Sequence, residues 1–348
     1  MGHYKKRPFP MAAGIFMILA AILVLSGCGK DNKKDIVFYF NEDSVTKEEY
    51  EMLAKEYSNQ IYRKYSTEQV NQEDFWTKEI DGQKPCELLD EIVTEKLLEN
   101  YSLKTIAVEE KIVKDYNYQE LMEQRDKENQ EKKKGVQEGE VIYGLTSFDD
   151  SAYYEYWYSN LETQIKNQWI KENVKVTKGE CQTYYDTHRE DFSYDIGVTV
   201  LYAEIGFSSE EEKETAWKTA EVLGKEMKEE NLEKLLKKYP NIYLEKLELN
   251  SLETQEGKSG VYTQRWEIAS QLSNGQVCQP YEQANSICLM KCIKRIENGS
   301  IEFKKMESEI ERYLQVQEAE SYIKREKEKI KVKKGTISSE TVISQLKK

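Results

Sequence analysis

Val176-Thr177-Lys178-Gly179-Glu180-Cys181 repeats the pattern of Val45-Thr46-Lys47-Glu48-Glu49-Tyr50: an apolar residue, a Thr, and a Glu three places after the Thr. A Thr hydroxyl at a helix N-cap accepts from the unpaired amides of the first turn. The Glu can reach back to the cap amide, and the apolar residue before the cap can staple onto that turn. Each stretch therefore starts a helix, and the two starts bracket one helical unit. Inside it, Tyr50, Leu53, Tyr57 and Ile61 recur at spacings of three and four, one face of a helix. Past the polar stretch at Asp81-Gly82, a second stripe runs through Leu88, Leu89, Ile92, Val93 and Leu97. Gln119 to Glu140 is almost wholly charged or amide and reads as an exposed helix that breaks near Gly135. Tyr154, Trp157, Leu161, Ile165 and Trp169 mark a long aromatic helix, read as a core seam before a ligand surface.

Downstream of Val176 the stripe continues as Cys181, Tyr184, His188 and Phe192, and the period then falls from 3.6 to 2. Ile196, Val198, Val200 and Tyr202 alternate as in a half-buried strand. Ser208 with Glu211 caps a helix through Trp217 and Leu223, and Asn231 starts a shorter one through Leu235 and Leu236. Tyr243 to Leu249, the turn-rich Gly257 to Gly260 and a short helical piece from Glu267 to Leu272 lead to an apolar strand, Ile287 to Ile293. A final helix carries Phe303, Met306, Ile310 and Leu314. Upstream, Ile36 to Phe40 reads as a strand.

The N-terminus sets the compartment. Basic Lys5-Lys6-Arg7 precedes an apolar run from Met11 to Leu25 that is too short to span a bilayer comfortably, and Leu25-Ser26-Gly27-Cys28 follows. This arrangement resembles a bacterial lipoprotein signal, which implies cleavage before Cys28 and a diacylglyceryl group on its sulfur. Removing the first 27 residues leaves 48 Lys/Arg against 64 Asp/Glu, a net charge of −16, which argues against a nucleic-acid partner. From Lys324 to Lys348 the balance reverses to +6, and that tail is expected to be a solvated helix end and frayed terminus, with contact to anionic lipid or wall polymer as the alternative. With only 17 Gly and 5 Pro the chain makes few tight turns and much helix. A solute-binding lipoprotein with many glycine-containing βα turns is disfavoured on that ground.

Cys28 aside, five cysteines remain: Cys86, Cys181, Cys278, Cys288 and Cys292. Cys288 and Cys292 lie about 13 Å apart along one strand, too far to bridge each other. Cys278 could face either of them across neighbouring strands. Free, half-buried thiols are the default expectation, and with neither a CxxC pair nor a His cluster no metal or cofactor is expected.

Taken together, the lipobox, the V-T-K-E-E helix start, a compact α/β segment and a returning helix resemble PrsA/SurA-type foldases, whose inserted domain is a parvulin-type peptidyl-prolyl isomerase. Ala269-x-x-Leu272-x-x-Gly275-x-Val277-Cys278-x-Pro280 is similar to that domain's A-x-x-L-x-x-G-x-[IV]-S-x-P segment, and Val176 to Phe192 is similar to the family's opening helix. The resemblance implies an α+β, mostly helical fold: a helical chaperone domain built from N- and C-terminal segments with an inserted small parvulin-like α/β domain. It divides the chain into a signal peptide (1–27), a lipidated Cys and tether (28–35), an N-terminal SurA-like domain (36–194) and a parvulin-like domain (195–297). A helix returning to the chaperone domain (298–334) and a tail (335–348) complete it. Glu204 and Cys288 stand where the parvulin site carries its two histidines, and His188 lies on the helix before the domain. The site is accordingly expected to be degenerate, with no catalytic residue. The resemblance then implies a lipid-anchored chaperone on the extracytoplasmic face of the cell membrane, whose partners are unfolded exported polypeptides. An active isomerase with a non-standard site and a non-catalytic scaffold lipoprotein are the alternatives.

Overall fold

Ile36–Phe40 (β1) and Asp43–Thr46 (β2) form an antiparallel hairpin that turns at Asn41, whose φ of 54° suits a side chain able to bond its own backbone. This is a computed structural model, and it describes residues 35–142, 144–252 and 260–346; the signal segment, Cys28, and 257–259 of the turn-rich stretch lie outside the described residues. The fold is α+β and mostly helical, with two small antiparallel sheets. Contacts divide the described residues into two compact units: those from Asp35 to Lys104 with Lys114–Tyr158 and those from Lys329 to Leu346, and Thr105–Val113 with Ser159–Glu328.

In the first unit β2 runs directly into α1 (Lys47–Tyr62), and the Thr46 side chain accepts from the Glu49 amide as expected. Glu49 does not close the capping box. Its carboxylate is buried instead, and accepts from the Tyr101 hydroxyl at 2.9 Å and the Tyr154 hydroxyl at 2.7 Å. Burial raises its pKa to about 7, while those two hydrogen bonds and nearby Lys104 pull it down. Lys104, itself buried, pairs with Asp43 and with Asp115 at 3.0 Å. After α2 (Thr67–Val70), the turn at Asp81 and Gly82 takes positive φ at both residues and leads into α3 (Pro85–Glu109). The charged α4 (Tyr118–Gln137) and the aromatic α5 (Asp150–Asn173) follow. α4 continues past Gly135, which is buried and helical, so the expected break falls two residues later. Tyr50, Leu53, Ile61, Leu89, Val93, Leu97 and Tyr154 make the core, so the stripes read from the sequence do face inward.

In the second unit α6 (Lys178–Thr187) opens with both halves of the Thr177–Glu180 capping box in place. A short turn of 3-10 helix (Arg189–Phe192) leads to β3 (Ser193–Gly206), then α7 (Glu210–Glu229), α8 (Leu232–Lys238), β4 (Tyr243–Asn250), α9 (Gly260–Ala269), β5 (Tyr281–Gln283), β6 (Ser286–Ser300) and α10 (Phe303–Lys327). The sheet order is β4-β3-β6-β5, antiparallel throughout. β3 is not half-buried as its alternation suggests. Val198, Val200 and Tyr202 pack on one face with Ala269, Leu272 and Met290, while Leu201 and Ala203 pack on the other with Leu223, Met227 and Leu235. The cap of α7 is Ser209 with Glu212, one residue later than expected, and α9 begins seven residues before Glu267. Cys181 and Tyr185 of α6 pack on Ile310 of α10, and Trp169 stacks on Tyr322 at 3.6 Å.

The expected tail is structured. Val332–Lys334 (β7) pairs antiparallel with β1, and α11 (Ser339–Ser344) follows with Val342, Ile343 and Leu346 buried. Gly335 passes so close to β1 that a Cβ there would lie 2.2 Å from the Ile36 carbonyl oxygen. No helix among the described residues is long and apolar enough to cross a membrane. The five cysteines are free thiols, four of them buried and Cys278 partly so.

Candidate functional site

The β3–β6 ladder sets Glu204 directly opposite Cys288 and Tyr202 opposite Met290, so the two residues singled out from the sequence are cross-strand neighbours. Side chains two apart on a strand share a face, which puts Tyr202 beside Glu204, and Tyr202 is the residue that joins the pair. Its hydroxyl lies 3.0 Å from Glu204 Oε2 and 3.0 Å from Cys288 Sγ, and Arg265 of α9 donates to it from Nη2 at 2.9 Å. One phenol can donate once and accept twice. With its proton on Glu204, it accepts from the Cys288 thiol and from Arg265 and is fully satisfied. The Arg265 guanidinium also lies over the Tyr202 ring, 4.2 Å from its centroid, and donates through Nε to Gln283 Oε1 at 3.2 Å. Ser286 donates to the other Glu204 oxygen at 3.0 Å, and the Gln283 amide donates to Gln264 at 2.9 Å.

The floor of this network is apolar: Val198, Val200, Met290 and Cys292, with Tyr262, Trp266 and Tyr281 packed against them. Burial raises the Cys288 pKa, so the sulfur stays a thiol rather than a nucleophilic thiolate. The Tyr202 phenol is held protonated far above its ordinary range, chiefly by burial. The Ala269 to Pro280 segment supplies the outer border. Leu272 is buried, Gly275 turns the chain at φ 80°, and Cys278 and Gln276 run beside β6, the Cys278 amide donating to the Met290 carbonyl at 2.9 Å.

His188 takes no part in this network. It ends α6, where its ring stacks on Tyr184 at 4.0 Å and its Nδ1 sits 2.9 Å from the Tyr184 carbonyl oxygen. Tyr202, Arg265, Gln283 and Ser286 were not foreseen as site residues. Strand alternation could have supplied Tyr202; Arg265 follows a stretch whose helix start the sequence does not mark. No group of three or more His, Cys, Asp or Glu among the described residues is placed to hold a metal.

No family model matches the chain. A curated relative, a chaperone for lacto-N-biosidase from Bifidobacterium longum, is 23% identical over 165 residues, 47% of this chain and 59% of the relative. The chain thus spans about three fifths of the length of the curated relative it matches. Solved structures similar to this chain are SurA-like chaperones and PrsA foldases. A SurA-like chaperone of Campylobacter jejuni is 11% identical, with 86% of this chain and 99% of that one covered at a TM-score of 0.32. PrsA from Streptococcus pneumoniae is 11% identical over 84% of this chain and 92% of its own (TM-score 0.25), and PrsA from Bacillus subtilis 17% identical over 85% and 91% (TM-score 0.23). These likenesses are too loose to carry residue roles across.

Proposed function

We propose that this protein is an extracytoplasmic chaperone that binds unfolded exported polypeptides, is held on the membrane by lipid on Cys28, and does not catalyse proline isomerisation. The class of activity rests on the relative that is itself a chaperone. The helical segments of 36–194 and 298–334 form the client-binding part, with 195–297 as an insert between them in chain order. The loss of catalysis rests on one observation: the Tyr202 proton is given to Glu204, the Cys288 thiol faces the Tyr202 hydroxyl, and Arg265 is tied to Tyr202 and Gln283. Speeding rotation about a prolyl bond, with its barrier of roughly 18 to 20 kcal/mol, needs donors and dipoles aimed at the twisted imide. The Tyr202 and Cys288 protons are engaged inside the network rather than aimed at an imide, and the Arg265 guanidinium is laid over the central Tyr.

The test is a pair of assays on the chain from Gly29 to Lys348: cis-to-trans isomerisation of a proline peptide, and aggregation of an unfolded client. We expect the uncatalysed rate of tens to hundreds of seconds in the first, and a delay in the second. Isomerisation that disappears in Glu204→Ala or Cys288→Ala would move the protein to the enzymes, and no effect in either assay would make it a scaffold. One observation favours the isomerase reading. The Tyr281 hydroxyl, on the strand paired with Cys288, is buried with no hydrogen-bond partner among the described residues, and it is available as a donor. Tyr281→Phe is the variant that separates that route.

A further inference from the structure

β7 is an outer strand of the first unit's sheet. Lys333 and Lys334 on it and Lys331 just before it are exposed, as is Val332 between them. From Lys329 to Lys334 there are four lysines and no acidic residue, in a chain of formal charge −13. The inner neighbour adds no charge: β1 is Ile-Val-Phe-Tyr-Phe, with Tyr39 opposite Lys333 and Phe38 opposite Lys334. The acidic residue that follows, Glu340, is bound to Lys84 at 3.0 Å. β1 starts at Ile36, eight residues after Cys28. At no more than about 3.5 Å per residue, a lipid on Cys28 keeps the strand beside β7 within about 28 Å of the bilayer.

We propose that this lysine strand is an electrostatic foot that rests on anionic lipid headgroups. The proposal builds on the anchor reading of Cys28, which delivers β7 to the bilayer; the contact itself is made by Lys331, Lys333 and Lys334. Attraction between lysines and an anionic leaflet fades within a Debye length of about 8 to 10 Å, so the contact is short-ranged: the lysines bind anionic headgroups unaided, and the anchor raises how often they meet them. The remainder of the chain is strongly acidic and is repelled, so the foot fixes which side of the first unit faces the membrane. Lysines on an outer strand also discourage pairing with other strands, but that role is indifferent to lipid charge.

The experiment sediments the unlipidated chain from Gly29 to Lys348, which contains every described residue, with vesicles of phosphatidylcholine alone or with about one third phosphatidylglycerol. Expected is several-fold more protein on the anionic vesicles, lost in high salt, and a fall to the phosphatidylcholine level when Lys331, Lys333 and Lys334 are all changed to Gln, with an unaltered circular dichroism spectrum. Equal binding to both vesicles, none to either, or full binding by the triple variant would overturn it. So would equal displacement by soluble polyglycerol phosphate, which would assign the patch to a wall polymer. Acylation of Cys28 plays no part in this assay, so failure of the anchor reading, seen by fractionating Cys28→Ser, is read separately.

Discussion

Two copies of one local pattern meet different fates at Glu49 and Glu180. Glu180 stays at the surface and bonds back to the Thr177 amide at 2.7 Å; Glu49 turns inward to Tyr101 and Tyr154. Spacing decides that a helix starts, while desolvation and distant partners decide where the carboxylate goes. An acid whose folded pKa of about 7 exceeds its unfolded value of 4.5 binds more protons folded than unfolded between those two values. Its contribution to stability is therefore full below about pH 4.5, falls as pH rises through 7, and is level above. We expect urea unfolding to show wild-type protein losing on the order of 3 kcal/mol more than Glu49→Gln between pH 5 and pH 8; equal losses would refute the assignment. At Tyr202 the expectation is steric silence and polar damage. Tyr202→Phe keeps the ring but takes one hydrogen bond each from Arg265, Glu204 and Cys288, costing about 1 to 3 kcal/mol of stability in the second unit by thermal melt.

Among elements, helices with a cap and a one-sided stripe were legible in the sequence, because both signals are local: Thr46, Asn231 and Thr177 all cap where expected. The β3 and β6 strands were legible, but their burial on both faces was not, since Leu201 and Ala203 look like gaps in an alternation until α7 and α8 cover them. Glu204 and Cys288 were singled out one at a time through the family resemblance, and their register opposite each other is a finding of the structure, whereas the Arg265 contact depends on a helix that packs back from distant chain. β7 and α11 were missed because a lysine run reads as solvated, and the short apolar group Val342, Ile343, Leu346 was outweighed by it. Gly335 gives that junction a sharp test. A methyl group there meets the Ile36 backbone, which cannot rotate away, so Gly335→Ala should lower stability by about 1 to 3 kcal/mol in denaturant unfolding. A neutral result would mean the β1–β7 pairing is looser than its register implies.

For the molecule as a whole, the first unit is assembled from chain that is far apart in sequence: the Lys331 amide donates to the Asn41 side chain across a separation of 290 residues. The second unit needs nothing beyond Glu328. A chain threaded out N-terminus first therefore completes its second unit before its first, and β1 waits with one edge unpaired until Val332 to Lys334 emerge. Truncation after Glu328 should leave Ile36 to Tyr62 open to limited proteolysis while Ser193 to Ser300 resists it; equal resistance would show that the hairpin closes unaided. Such a protein carries its first sheet through most of its synthesis with one edge open, to be closed by chain made about 290 residues later.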